Sequence, residues 1–156
     1  MARFDTSGFD QIIKDVTALG EKSESVGKRM LLAAAEEVKK AWKAAAAKFG
    51  LRDTGDMIDS IGFPNEPSNA SGVQYIDIYP RGKDRHGVRN AEKAFILHYG
   101  VDSKHARRRR PRKYRGPGIP PTHWVDEADK LSAAPVQAAF ERIWDDFLNG
   151  GDGGGS

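Results

Sequence analysis

The chain has no cysteine, which excludes disulfides and thiolate metal sites and fits synthesis in a reducing cytoplasm. No apolar run approaches the ~18 residues of a membrane helix, so no membrane contact is expected. Met1, Ala2, Arg3, Phe4 and Asp5 bring an acid early and no apolar core, so no secretion signal is expected either. The chemical motifs are equally sparse. There is no GxxxxGK[ST] and no Gly-rich loop between a strand and a helix to cradle phosphate. There is no GxSxG elbow for a nucleophile. His86, His98, His105 and His123 form neither an HxH nor an HxxxH pair, and no acid cluster has EF-hand spacing. Asp53, Asp56 and Asp59 follow i, i+3, i+6 spacing, which is how the solvated side of a helix reads. The expectation is a protein with no metal, no cofactor and no catalytic residues.

A length of 156 residues is that of one ordinary domain, large enough to bury a core. Hydrophobic residues at 38% and charged residues at 30% place it with globular, polar-surfaced proteins rather than disordered ones. Charge is unevenly spread. Lys104, Arg107, Arg108, Arg109, Arg110, Arg112, Lys113 and Arg115 crowd into residues 104–115 without an acid. Subtracting these eight from the formal +3 leaves −5 for the remainder. A mildly acidic body with one basic stretch points to a local contact rather than general nucleic-acid binding.

Apolar periodicity outlines the elements. Phe9, Ile12, Ile13, Val16 and Leu19 mark one face of a helix that Gly20 is expected to end. A longer helix then opens at Ser23 or Ser25, with Val26, Met30, Ala34, Val38, Ala41, Trp42, Ala45 and Phe49 on its apolar face and Gly50 as its stop. One helical turn capped by Asp53 or Thr54 should lead into a strand over residues 60–63. Residues 64–72 are rich in Pro, Asn and Ser and read as a loop or hairpin tip. Val73, Tyr75, Ile76, Ile78 and Tyr79 predict a strand inside a sheet, ended by Pro80. Asn90 is placed to cap a helix that Gly100 stops in a left-handed conformation. Residues 101–119 lack periodicity and form a long loop. A last helical region starts at Pro120, Pro121 and Thr122, with a kink or break expected near Ser132 because Pro135 cannot sit in an interior turn without cost.

The predicted fold class is α+β: long N-terminal helices and a C-terminal helix packed on a small, mostly antiparallel sheet. Residues 1–149 form the single domain and residues 150–156 a flexible Gly-rich tail. Trp42, Phe49, Ile76, Trp124 and Phe140 are the expected core, and Trp144 is read with Trp42 and Trp124 as core rather than ligand cage. His98 reads as a helix C-terminal residue favoured by the dipole. An enzyme would require a cleft gathering His98, His123 and an acid. The basic stretch has three readings: phosphate contact, with Tyr114 free to stack on a base; pairing with an acidic neighbouring subunit; or solvated charge without a partner.

Three landmarks occur in order. The first is Thr54 and Gly55 followed by Met57, Ser60 and Ile61, after an Ala-rich helix; the second is Ala94, Phe95, Ile96, Leu97, His98, Tyr99 and Gly100; the third is Pro120, Pro121, Thr122, His123, Trp124 and Val125. This layout resembles the small neck, or tail-completion, proteins that join head to tail in long-tailed bacteriophages. It covers about residues 9–148. Two departures stand out: His98 lies where that family usually carries an acid, and Asp102 follows Gly100 where a Thr is common nearby. The resemblance implies a structural virion subunit made in the bacterial cytoplasm, forming a sixfold ring at the head–tail junction. Its partners would be a connector or stopper on one side and the tail tube or terminator on the other, with non-specific DNA contact possible in the channel. Thr54, Gly55, Ser60, Tyr99, Gly100, Pro121 and Trp124 would be its structural motif residues. A tail-terminator role is not separated from a tail-completion one. The alternative is a small nucleic-acid-binding protein using residues 104–115.

Overall fold

The computed structural model describes residues 7–51, 55–101 and 118–150, with side chains from residue 20 onward except residue 21. Its elements are α1 (Ser7–Lys48), α2 (Asp56–Asp59), β1 (Ile61–Gly62), β2 (Ser68–Ala70), β3 (Val73–Tyr75), β4 (Tyr79–Pro80), α3 (Asn90–Tyr99) and α4 (Trp124–Leu148). The fold class is α+β, with a long N-terminal helix, a C-terminal helix and small antiparallel strand pairs.

Helix α1 runs 42 residues without interruption. Gly20 therefore does not divide it, contrary to the sequence expectation. A helical glycine costs ~1 kcal/mol, which the good helix formers around it outweigh. The Ser23 hydroxyl donates to the Gly20 carbonyl at 2.7 Å, tying this turn from within. Farther along, Lys39 pairs with Glu36 at 3.0 Å and Lys40 with Glu37 at 2.7 Å, one turn apart.

Helix α4 is likewise unbroken through Pro135. Of the kink or break expected near Ser132, the break does not occur. Proline removes one amide donor and frees the carbonyl of Leu131. Leu131 and Pro135 both lie on the exposed side, where water can replace the missing donor. Ser132 instead faces inward and its hydroxyl donates to Asp129 O at 3.0 Å.

The predicted strand over residues 73–79 is split. β3 pairs with β2 through Val73↔Ala70, Gln74↔Asn69 and Tyr75↔Ser68, whereas β4 pairs with β1 through Tyr79↔Gly62 and Pro80↔Ile61. The chain changes partner over residues 76–78, so neither piece lies inside a sheet, and Val73 is 64% exposed. The β2–β3 hairpin turns on Ser71 and Gly72, both at positive φ, as a two-residue hairpin loop requires. Pro80 is the last residue of β4, paired with Ile61 and buried.

Trp42 at the end of α1 meets Trp124 at the start of α4, edge to face at 5.2 Å, and Lys48 pairs with Glu127 at 2.6 Å. The two helices therefore run antiparallel and make the most extensive contact between elements. Their alanines let them approach closely: Ala45, Ala46 and Ala128 are fully buried. Met57, Ile58, Ile61 and Ala94 complete that core, with Trp42, Leu51, Ile78, Leu97 and Val125 against it. Trp124 is 0% exposed, as expected. Phe49 is 41% exposed and Trp144 46%, so neither is core; Ile76 and Phe140 are half-buried. Phe49 follows the last helical residue and turns away with Gly50, while Trp144 lies on the α4 side away from the buried Ala139 and Ile143.

Candidate assembly surface

The junction of α3 and α4 is built from backbone groups left over at a helix end. The last carbonyls of a helix have no partner inside it. Here the returning chain supplies them: Thr122 donates to Leu97 O through its amide at 3.1 Å and its hydroxyl at 2.7 Å, and the His123 amide donates to His98 O at 3.1 Å. Gly100 makes this return possible. Its φ of 73° and ψ of 175° lie in a region open essentially to glycine alone, not in the left-handed helical region expected from sequence. A Cβ there would sit 2.6 Å from Ile119 O and 2.7 Å from Pro121 N, both backbone atoms. Asn90 is not the cap of α3 either. Arg89 holds that position, and the buried Asn90 amide donates to Arg81 O at 2.8 Å, anchoring the helix start to the end of β4.

The same junction brings together the three groups named above as the requirement for an enzyme. His98 is buried, its Nε2 lies 3.7 Å from Asp126 Oδ1, and His123 Nδ1 lies 3.7 Å from Asp126 Oδ2. The imidazoles meet edge to face at 5.4 Å. Sequence spacing could not show this, because 25 positions separate the histidines and the link is the His123–His98 backbone bond. One donor atom from each residue lies within 4.8 Å of the others, close enough to hold a metal ion. The hydrogen bonding opposes that use. His98 Nδ1 accepts the Val125 amide at 3.3 Å, so it presents a lone pair there and the neutral ring carries its proton on Nε2. That proton faces Asp126, and a metal on Nε2 would need the opposite tautomer, with Nδ1–H against the Val125 N–H. The arrangement suits a hydrogen-bonded clasp between α3 and α4.

A second anchor sits at the other end of α3. Asp84 Oδ1 accepts the amides of His86 and Val88, each at 2.8 Å, while Lys93 of α3 pairs with Oδ2. The Lys93 hydrogen bond, helped by the two amides and opposed by burial, lowers the Asp84 carboxyl from its ordinary 3.8 to about 2. The loop before α3 is thus tied to the helix it introduces. Glu127 is also held below the usual carboxylate range, by its hydrogen bond from Lys48.

Between these anchors α3 presents an apolar face. Ala91, Phe95 and Tyr99 are exposed at i, i+4, i+8, with Phe95 at 63% and Tyr99 at 59%, their rings 4.7 Å apart. Beside them opens a cavity of about 250 Å³ bounded by Tyr79, Pro80, Trp42 and Trp124. The basic stretch leaves from the same place. Val101 and Ile119 are paired by two backbone bonds of 2.8 and 3.0 Å, directly after Gly100 and before Pro120. Lys104, Arg107, Arg108, Arg109, Arg110, Arg112, Lys113 and Arg115 themselves lie outside the described residues, as does Thr54. Of the remaining motif residues, Gly55 precedes α2 at φ 84°, and the Ser60 hydroxyl donates to Met57 O at 2.8 Å just after it. Tyr99, Gly100, Pro121 and Trp124 all belong to the α3–α4 junction.

A family model, the bacteriophage HK97-gp10-like tail components, matches residues 10–99, 90 of the 156 residues. The chain belongs to this family. As a tail component it is a structural protein of the phage virion and works among other tail and neck proteins. The match takes in α1 through α3 and the first two sequence landmarks; the third landmark and the basic stretch lie beyond it. No curated protein and no solved structure matches the chain. No helix among the described residues is long and apolar enough to cross a membrane.

Proposed function

We propose that this tail component is a ring subunit at the head–tail junction, in a tail-completion or tail-terminator role, joining tail to connector. The family match carries the reading. Two further observations support it. The third landmark, at residues 120–125, docks the α4 start onto the α3 end, so all three landmarks contribute to one packed body. And Val101 and Ile119, which flank the segment that holds the basic stretch, stand beside the exposed aromatic face of α3. Large exposed apolar patches on soluble chains commonly mark interaction sites. The subunit acts by binding rather than catalysis, with the His98–His123–Asp126 clasp as a structural joint.

Eight like charges in twelve residues repel one another, and unpaired arginine is costly to bury, so the stretch works through a partner. An acidic neighbouring subunit or DNA phosphate in the channel would serve. Replacing Arg107, Arg108, Arg109 and Arg110 with Ser should leave the melting temperature unchanged and reduce head–tail joining in an in vitro assembly assay. The wild-type activity should fall as salt rises. Normal joining by the quadruple variant at every salt concentration refutes this role. Duplex binding by the monomer at low salt, without any joining activity, would favour the nucleic-acid-binding alternative.

A further inference from the structure

Outside residues 104–115 the chain is net acidic, yet one described loop runs against that balance. Residues 81–89 hold Arg81, Lys83, Arg85 and Arg89 against Asp84, or 4 − 1 = +3. The fold makes the outer side of this loop more basic still. Asp84 is buried and both its oxygens are used internally: Oδ1 accepts the amides of His86 and Val88, and Oδ2 meets Lys93. Gly82 and Gly87, at φ 66° and 80°, turn the backbone around it. The one acid of the loop is its internal brace, and the cations are left outside.

Lys83 and Arg89 face each other as antiparallel bridge partners. The backbone bonds lie on either side of them, from the Asp84 amide to Val88 O at 2.9 Å and from the Asn90 amide to Gly82 O at 3.1 Å. They are therefore a non-hydrogen-bonded pair, the closer of the two antiparallel spacings, with both side chains on one face. Like charges directly opposite one another are destabilising. Both residues are exposed, and neither makes an ion pair among the described residues. Elsewhere cations are matched: Lys28, Lys39, Lys40 and Lys48 of α1 each meet a glutamate, and Arg85 meets Asp56. A braced loop that holds two free cations together against their repulsion is preorganised for an anion between them.

We infer that this loop binds the phosphate backbone of duplex DNA through Lys83 and Arg89. The arginine fork can take two phosphate oxygens at once, and lysine adds a compact positive charge. The composition of the loop favours a polyanion over an acidic protein. Protein interfaces gather apolar and aromatic anchors at a core poor in charge. Val88 is the only apolar side chain among residues 81–89. The same residues hold no Phe, Tyr or Trp on which the bases of a single strand could stack. The contact is thus with the backbone and carries no sequence preference. It is separate from residues 104–115, which follow α3 whereas this loop precedes it, and it stands whether or not the subunit sits at the head–tail junction.

The test is binding of the full chain to a mixed-sequence duplex across a salt series, for the wild type and for Lys83→Ser with Arg89→Ser. Log affinity falls with log salt by ~0.9 for each phosphate neutralised, so losing two contacts should flatten the slope by ~1.8. The loss should be equal on a duplex of unrelated sequence. The same flattening should appear when Arg107, Arg108, Arg109 and Arg110 are already replaced by Ser, which separates the loop from the basic stretch. Because the two side chains are exposed and repel, the double variant should melt no lower than the wild type. If it does melt lower, Lys83→Gln with Arg89→Gln, which keeps the length of the side chains, gives the slope instead. An unchanged slope overturns the inference, and so does a wild type that binds no duplex at low salt. Polyglutamate that competes as well as DNA of equal charge overturns it in favour of an acidic protein, and a loss confined to one sequence overturns it in favour of base readout. Weakened duplex binding with head–tail joining intact supports the loop contact and shows that joining does not use it.

Discussion

The two ends of the α1–α4 pair are made of similar residues and have opposite surroundings. At one end, tryptophan, alanine and isoleucine from α1, α2, β1, α3 and α4 close around Trp124 until nothing of it is exposed. At the other end α4 runs out with Trp144 and Leu148 in the open, and α1 passes Ser25 with no buried side chain around it. An apolar stripe on a helix states that something must cover it, not what does. At the first end the cover is supplied by the chain itself. At the second, Trp144 and Leu148 stay exposed.

Mutations at each end can break or sharpen this contrast. Trp124→Ala should have the largest effect, destabilising by ~3–5 kcal/mol, because it empties the centre of the four-helix junction. Chemical denaturation would measure it, and a loss under ~1 kcal/mol would mean that the junction is not the core.

Gly100→Val comes next, at ~2 kcal/mol or more. A non-glycine residue in that region of φ and ψ costs of order 1–3 kcal/mol, and the added Cβ also meets Ile119 O and Pro121 N. An unchanged unfolding curve would show that the α3–α4 return does not depend on this backbone conformation.

Asp84→Asn should lower the melting temperature by less, and in a way that depends on pH. The folded carboxyl titrates at about 2 against an ordinary 3.8, so its contribution is complete above about pH 4 and is lost as pH falls toward 2. The gap between wild type and variant should therefore be open at neutral pH and close over that acid range. A gap that widens on acidification contradicts the Lys93–Asp84 assignment.

Trp144→Ala should have the smallest effect on the free subunit, ~1 kcal/mol or less, since nearly half of the side chain is already in water. If it costs as much as Trp124→Ala, the far end is covered in solution and the contrast fails.

Much of this architecture could be read from residue order. The helices of residues 26–48, 90–99 and 124–148, the short turn before β1 and the central place of Trp124 all follow from apolar spacing, because a helix repeats every 3.6 residues whatever it packs against. The three landmarks, in order, pointed to the phage tail family that residues 10–99 match. Gly20 and Pro135 misled because propensity is a small term, and a long helix that is packed or satisfied elsewhere absorbs it. Residues 73–79 misled because β-branched composition marks an extended chain without saying which neighbour pairs with it.

What the sequence determined by itself was local: where the chain is helical, where it must turn, which residues are apolar, and where positive charge accumulates. What only the tertiary structure decided was which of those apolar residues find a partner within the chain. Trp124 and Trp144 are both large apolar residues of one helix, yet the first is sealed and the second open. His98 and His123 look unrelated in sequence and become neighbours because unsatisfied carbonyls at the end of α3 accept the amides that lead into α4. Burial and polar satisfaction depend on contacts between distant segments, and no periodicity within a single segment encodes them.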